Sequence, residues 1–335
     1  MKKFLIVISL TLGLPILLLL AIYLYTDPFR SQKPFDLNDI DATNREYLST
    51  ELFLRNKDRY AYDSFVFASS RGGGINTYTW SMYLPEGAQP YLFQAWSESI
   101  TGMQLKMQYL QENNIPIRNA LLLIDIPTTF VSDQLPKESL SMKHYMFTGQ
   151  PKWVYNGIHF FNFIQSPSLW IESMQKTWNN ERLSFQSDTI TNDYELKNAM
   201  DFASLPIQDS LKACSEMTRR TFFAKIANKS EDDIQMSKQL IDEKFMAQLL
   251  DIKSIFDQNA TNYRILITPG YCYTSQYINT IDLQILQEIF GEDRVHDYSS
   301  PNALNRDYNN FSDPSHFDLH TGYIMLEEIY TDSVE

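Results

Sequence analysis

Hydrophobic and polar positions divide the chain into three unlike stretches. From Phe4 to Tyr25 no charged residue occurs, and Pro15–Ile22 is almost pure hydrocarbon. A helix over that run rises about 33 Å, close to the hydrocarbon thickness of a bilayer. Residues 28–60 are polar and read as a juxtamembrane stalk carrying one short helix, Asn44 to Phe53. Beyond residue 61 short apolar β-type runs recur at Ser64–Ala68, Tyr91–Phe93, Ala120–Ile126, Tyr263–Pro269 and Arg294–His296. Helical patterns separate several of them, including Ile100–Gln111, with Met103, Met107 and Leu110 on one face, and Asp282–Phe290. Strands alternating with helices predict an α/β fold: a three-layer parallel sheet with flanking helices and right-handed crossovers, over residues 61–335. The alternation fails between Phe130 and Asn259, where Trp153–Trp178 is aromatic-rich and Asp232–Gln258 reads as one long amphipathic helix. That stretch predicts a mostly helical insertion at about 131–260.

Charge orients the first segment. Lys2 and Lys3 precede the apolar run and Asp27 follows it, so residues 1–27 read as a transmembrane signal-anchor with the N-terminus in the cytoplasm. A cleaved signal peptide is the competing reading, although the run is long for one and no A-x-A-like site precedes Asp27-Pro28. On either reading the domain after residue 28 is extracytoplasmic and the protein belongs to the cell membrane or envelope.

Composition narrows the partners. With 28 basic against 41 acidic side chains the net charge is −13, which argues against nucleic acid as a partner. A hydrophobic fraction of 44% with 21% charged residues is that of a folded chain. Two cysteines exclude a disulfide-dense scaffold and a four-Cys zinc site. Cys214 and Cys272, if paired, would close a loop of about 58 residues and stabilise by about 4 kcal/mol; sequence does not show that they meet.

Two places carry residue types suited to catalysis. Ser69-Ser70 stands where a buried strand breaks into Arg71-Gly72-Gly73-Gly74, and parallel sheets place ligands outside the carboxyl ends of their strands. A serine-rich turn that caps the next helix is the plainer reading. Asp313-Pro314-Ser315-His316 lies shortly before a C-terminal amphipathic helix, Thr321–Tyr330. An Asp three residues ahead of a His can accept the Nδ1–H and leave Nε2 to take a proton from a serine. Equally, Asp313 can be an N-cap with Pro314 in the first helical position.

With these two places in view, the chain resembles a family. Tyr62–Arg71, ending in Ala68-Ser69-Ser70, is similar to the first block of SGNH/GDSL-type hydrolases, and Asp313-Pro314-Ser315-His316-Phe317 to their last block, Asp-x-x-His. The N-terminal anchor matches members that acylate cell-surface polymers outside the cytoplasm, such as teichoic-acid D-alanyl transfer and alginate O-acetylation proteins. The resemblance covers residues 60–130 and 260–330 and implies an SGNH, flavodoxin-like sheet. It also implies Ser70 as nucleophile, His316 as general base and Asp313 as its orienter. Ser70's own N–H would be one oxyanion donor. The second block falls near Gln94–Ser99 without its glycine, and the third near Ile124–Thr128 without its Gly-x-Asn-Asp. Loss of one such donor costs about 10²–10³ in rate, so the hydroxyls of Ser97 and Thr128 stand as substitutes.

The implied activity is that of a membrane-anchored serine esterase or O-acyltransferase on a cell-envelope polysaccharide or other acylated polymer, working through an acyl-serine. A membrane-bound O-acyltransferase is an implied partner, and no cofactor or metal is expected. The alternative is a catalytically inactive SGNH-like scaffold for polymer modification or export. Gly72-Gly73-Gly74 lacks the dinucleotide spacing, and Ala68–Gly72 is a degenerate form of the α/β-hydrolase elbow. His316 and His320, four apart, lack the intervening Glu of a zinc helix. Trp96, Trp153, Trp170 and Trp178 suit sugar stacking as well as a core.

Overall fold

The computed structural model describes residues 2–29, 31, 44–132, 134–179 and 229–331. Two compact units divide the chain: Leu52–Leu135 with Tyr194–Glu335, and Met1–Glu51 with Pro136–Asp193.

The larger unit is α/β. Its five parallel strands are β1 (Ser64–Ala68), β2 (Pro90–Gln94), β3 (Asn119–Ile124), β4 (Asn262–Ile267) and β5 (Val295–Asp297). Their order is β2-β1-β3-β4-β5, a flavodoxin-like layout. β1, β2 and β3 are buried along their whole length, which explains why they read as continuous apolar runs. The period of two sorts their side chains onto two faces. Val66, Ala68, Leu92, Leu121, Leu123 and Leu266 meet the C-terminal helix Leu319–Thr331 through Met325, Leu326 and Ile329. On the other face Phe65 and Phe93 stack on each other at 5.8 Å, and Phe53 sits 4.9 Å from Phe93. Each buried side chain of this size contributes about 1.5–3 kcal/mol.

Several boundaries differ from the expected ones. The helix expected from Asn44 to Phe53 runs Arg45–Tyr60, and Leu52 and Phe53 are core residues of the sheet unit, so 52–60 is not free stalk. The long helix expected from Asp232 begins only at Glu243, because the Asp242 carboxylate caps it by accepting the Lys244 and Phe245 N–H groups. Ahead of it Gln235–Met236 pairs with Gln276–Tyr277 in a small parallel sheet. The helix Glu243–Gln258 belongs to the outer layer of the sheet unit, not to an insertion: Phe256 stacks on Tyr263 at 4.7 Å, and Gln104 Nε2 donates to Asp251 at 2.9 Å. β3 stops at Ile124, where the Asp125 N–H turns to Thr129 Oγ1.

In the smaller unit Lys2–Thr26 is one 25-residue helix. Among the described residues no helix is long and apolar enough to cross a membrane; the side chains of 2, 5–10 and 12 lie outside them. Tyr23, in the last turns of that helix, packs between Phe160 and Phe163 at 5.4 Å. Those residues belong to the helix Lys152–Ile164, which is followed by Pro167–Asn179. Asn44 ties the unit further, its Nδ2 donating to the Ser139 and Met142 carbonyls. The Cys214–Cys272 pairing falls outside the described residues, since Cys214 is not among them.

Candidate active site

Ser69 takes the capping place expected of a serine-rich turn. β1 ends at Ala68, Ser69 stays extended, and its Oγ accepts the Arg71 N–H at 3.1 Å, capping a 3₁₀ turn over Ser70–Gly74. Ser70 is the first residue of that turn. Its place is the carboxyl end of β1, beside β3, where the strand order reverses and doubly wound sheets leave a crevice.

Asp313 and His316 reach this crevice from a hairpin rather than from a helix start. Phe311–Asp313 and His316–Phe317 pair antiparallel, with Asp313 opposite His316, and the C-terminal helix begins only at Leu319. His316 Nδ1 lies 2.7 Å from Asp313 Oδ2, and His316 Nε2 lies 2.8 Å from Ser70 Oγ. A carboxylate on Nδ1 puts the proton there and leaves the Nε2 lone pair facing the hydroxyl. Burial alone would raise the Asp313 carboxyl. Its hydrogen bond to His316, the electrostatic attraction of that ring and the N–H groups of Ser315 and His316 outweigh that and hold it below the usual carboxylate range. With 37% of the His316 side chain and 30% of Asp313 exposed, the dyad is open to solvent and to a substrate.

Two glycines bring the hairpin and the serine turn together. A Cβ on Gly322, in the C-terminal helix, would overlap the Gly74 carbonyl oxygen, and a Cβ on Gly74 would lie 2.9 Å from the Phe317 carbonyl oxygen. Phe317 is buried in the core, so the residue after His316 is wedged against the turn that starts with Ser70.

A buried polar cluster fixes the same turn from the sheet side. Ser69 Oγ donates to Asp125 Oδ2, Thr268 Oγ1 donates to Asp125 Oδ1 at 2.6 Å, and Arg71 Nη1 donates to Thr268 Oγ1 at 2.9 Å. The Arg71 guanidinium stands 3.9 Å from Asp125, both side chains nearly inaccessible. The turn after β1 is thereby tied to the ends of β3 and β4. From β2, Gln94 Nε2 donates to the Ser70 carbonyl at 3.0 Å. Sequence reasoning missed these roles for Arg71, Gln94, Asp125 and Thr268. The available signal was a polar residue closing an otherwise apolar parallel strand, as in Phe93-Gln94, Ile124-Asp125 and Ile267-Thr268.

The structure thus brings Ser70, His316 and Asp313 into one chain of hydrogen bonds. Ser97 lies in the loop after β2 and Thr128 opens a 3₁₀ turn, Thr128–Phe130, after β3; β2 and β3 flank β1. The described hydrogen bonds tie neither hydroxyl to Ser70 or His316. At the expected third block the chain carries Asp125, whose carboxylate accepts from Ser69 and Thr268. Neither a family model nor a curated protein matches this chain.

Proposed function

We propose that the protein is an SGNH-like serine esterase or O-acyltransferase, held at the extracytoplasmic face of a membrane by its N-terminal helix, and that it acts on an acylated cell-envelope glycan. The observation that carries this reading is the 2.8 Å approach of His316 Nε2 to Ser70 Oγ, with Asp313 at 2.7 Å behind the imidazole. Ser70 Oγ attacks an acyl carbonyl while its proton passes to His316 Nε2. Collapse of the tetrahedral adduct breaks the acyl–oxygen bond, and the departing alkoxide takes that proton. A water or sugar hydroxyl then gives its proton to Nε2 and attacks the acyl-serine, restoring Ser70 and releasing an acid or a new ester.

The anchor part of the reading rests on the uncharged run Phe4–Tyr25 flanked by Lys2, Lys3 and Asp27. Tethering raises the effective concentration of the site at a polymer surface and suits a partner such as a membrane-bound O-acyltransferase.

The scaffold reading draws on one observation, the acceptor-only Asp125 where the resembling family places a donor. Labelling of the full chain by a fluorophosphonate probe separates the two. The enzyme reading expects stoichiometric labelling that Ser70→Ala abolishes. Absence of labelling, or labelling that survives Ser70→Ala, supports the scaffold.

A further inference from the structure

In the smaller unit two helices turn large apolar side chains outward at the spacing that ordinarily marks a buried face. On Pro167–Asn179 these are Ile171, Met174 and Trp178, at i, i+3 and i+7, and Trp178 is 90% exposed. On Lys152–Ile164 they are Trp153, 76% exposed, and Phe161, one stripe at i and i+8 with Gly157 between. A stripe of this width is a packing face, and a cluster of outward apolar groups marks an interaction surface.

The same helices show what covers the stripes. Their inner sides are fastened to the last turns of the N-terminal helix: Phe163 and Phe29 enclose Tyr23, with Leu20, Ile22, Leu169 and Trp170 around them. In those turns of the N-terminal helix Leu17, Leu18, Leu24 and Tyr25 face outward. The apolar exterior therefore continues from the anchor onto the two helices, each about 20 Å long. Lys152 directly precedes Trp153, and Lys176 lies two residues before Trp178. Tryptophan near lysine at the end of an apolar helix is the composition of a bilayer interface, where the indole sits at headgroup level and the ammonium reaches phosphate.

We infer that helices Lys152–Ile164 and Pro167–Asn179 lie in the headgroup region of the outer leaflet, with Trp153, Phe161, Ile171, Met174 and Trp178 inserted among the lipids. The two helices make a second, interfacial attachment that holds the smaller unit against the membrane. The inference rests on Lys2–Thr26 being an anchor, and the test reads the two separately.

Full-length protein is reconstituted into vesicles of phosphatidylcholine brominated either near the headgroup or near the chain end, and tryptophan emission is recorded. Shallow bromines should quench the wild type more than deep ones, and Trp153→Phe with Trp178→Phe should remove at least half of the quenchable emission. An alkaline carbonate wash of the same vesicles reports the anchor. A chain that stays in the membrane, with quenching unchanged by the double substitution, overturns the interfacial attachment and leaves the anchor standing. A chain released by the wash overturns both.

Discussion

His316 Nε2 and Ser70 Oγ stand 2.8 Å apart although 246 residues separate them along the chain. Neither residue is placed by its own neighbours alone. The serine turn is held by Asp125 and Thr268 from beneath, and the histidine hairpin is pressed onto it through Phe317, Gly74 and Gly322. Each of these supports carries a separate expectation.

Asp313→Asn keeps the size of the side chain but puts a donor or a neutral acceptor behind the imidazole. The wrong tautomer then faces Ser70, and the labelling rate should fall by about 10³–10⁴ with the fold intact. A fall of less than tenfold in the second-order rate constant contradicts the role given to Asp313.

Gly322→Ala places a methyl group where the Gly74 carbonyl stands. The helix must shift, at a cost of about 1–3 kcal/mol, and His316 moves with Phe317. Thermal melting should show the loss, and Ser70 labelling should drop by more than the unfolded fraction explains. Gly157→Ala is the control: it meets nothing within 4 Å in a helix and should be neutral or stabilise by about 0.5–1 kcal/mol.

Asp125→Ala leaves the Arg71 guanidinium buried without its carboxylate and should cost about 3–5 kcal/mol. Adding Arg71→Met removes the stranded charge, so the double variant should be more stable than the sum of the two single losses predicts. Denaturant unfolding of the three variants measures this coupling, and strict additivity would show that the cluster does not act as a unit.

Acid should destabilise the protein, and His159 and Asp313 make two of the contributions. His159 is buried between Phe29 and Tyr155, with neither ring nitrogen hydrogen-bonded, and burial pushes its pKa down to about 3. The unfolded chain takes up that proton near pH 6.5 and the folded one does not, so stability falls as pH drops from about 6.5 towards 3. The slope is about 1.4 kcal/mol per pH unit. Asp313 is shifted below its ordinary value, so its contribution is complete above about pH 4 and is lost only below that, as the folded carboxyl takes its proton. Melting curves at pH 7 and pH 5 should differ by about 2 kcal/mol in the wild type and by much less in His159→Phe.

The parallel sheet was legible because its strands are buried on both faces and therefore stand out as unbroken apolar runs, Phe65–Ala68 and Ala120–Ile124 among them. The hydrogen-bonded trio of Ser70, His316 and Asp313 was legible as well, since Ser70 follows a strand end and Asp313 and His316 share one turn. The supports were not. Asp125 and Thr268 look like ordinary loop openings until the register sets β3 beside β4, and the Gly74–Gly322 contact joins residues no local pattern links. The helix expected from Asp232 was misjudged because periodicity carries through the Asp242 cap, which only the hydrogen bonds of Lys244 and Phe245 reveal. Trp153 and Trp178 read as core or sugar-stacking residues, whereas both side chains are exposed.

An acyl group carried on Ser70 is detected by mass spectrometry of the full chain after brief exposure to an activated acetyl ester. One acetyl group is expected on the peptide that holds Ser70, absent in Ser70→Ala and formed far more slowly in His316→Ala. Acetylation spread over lysines and indifferent to Ser70 would contradict it.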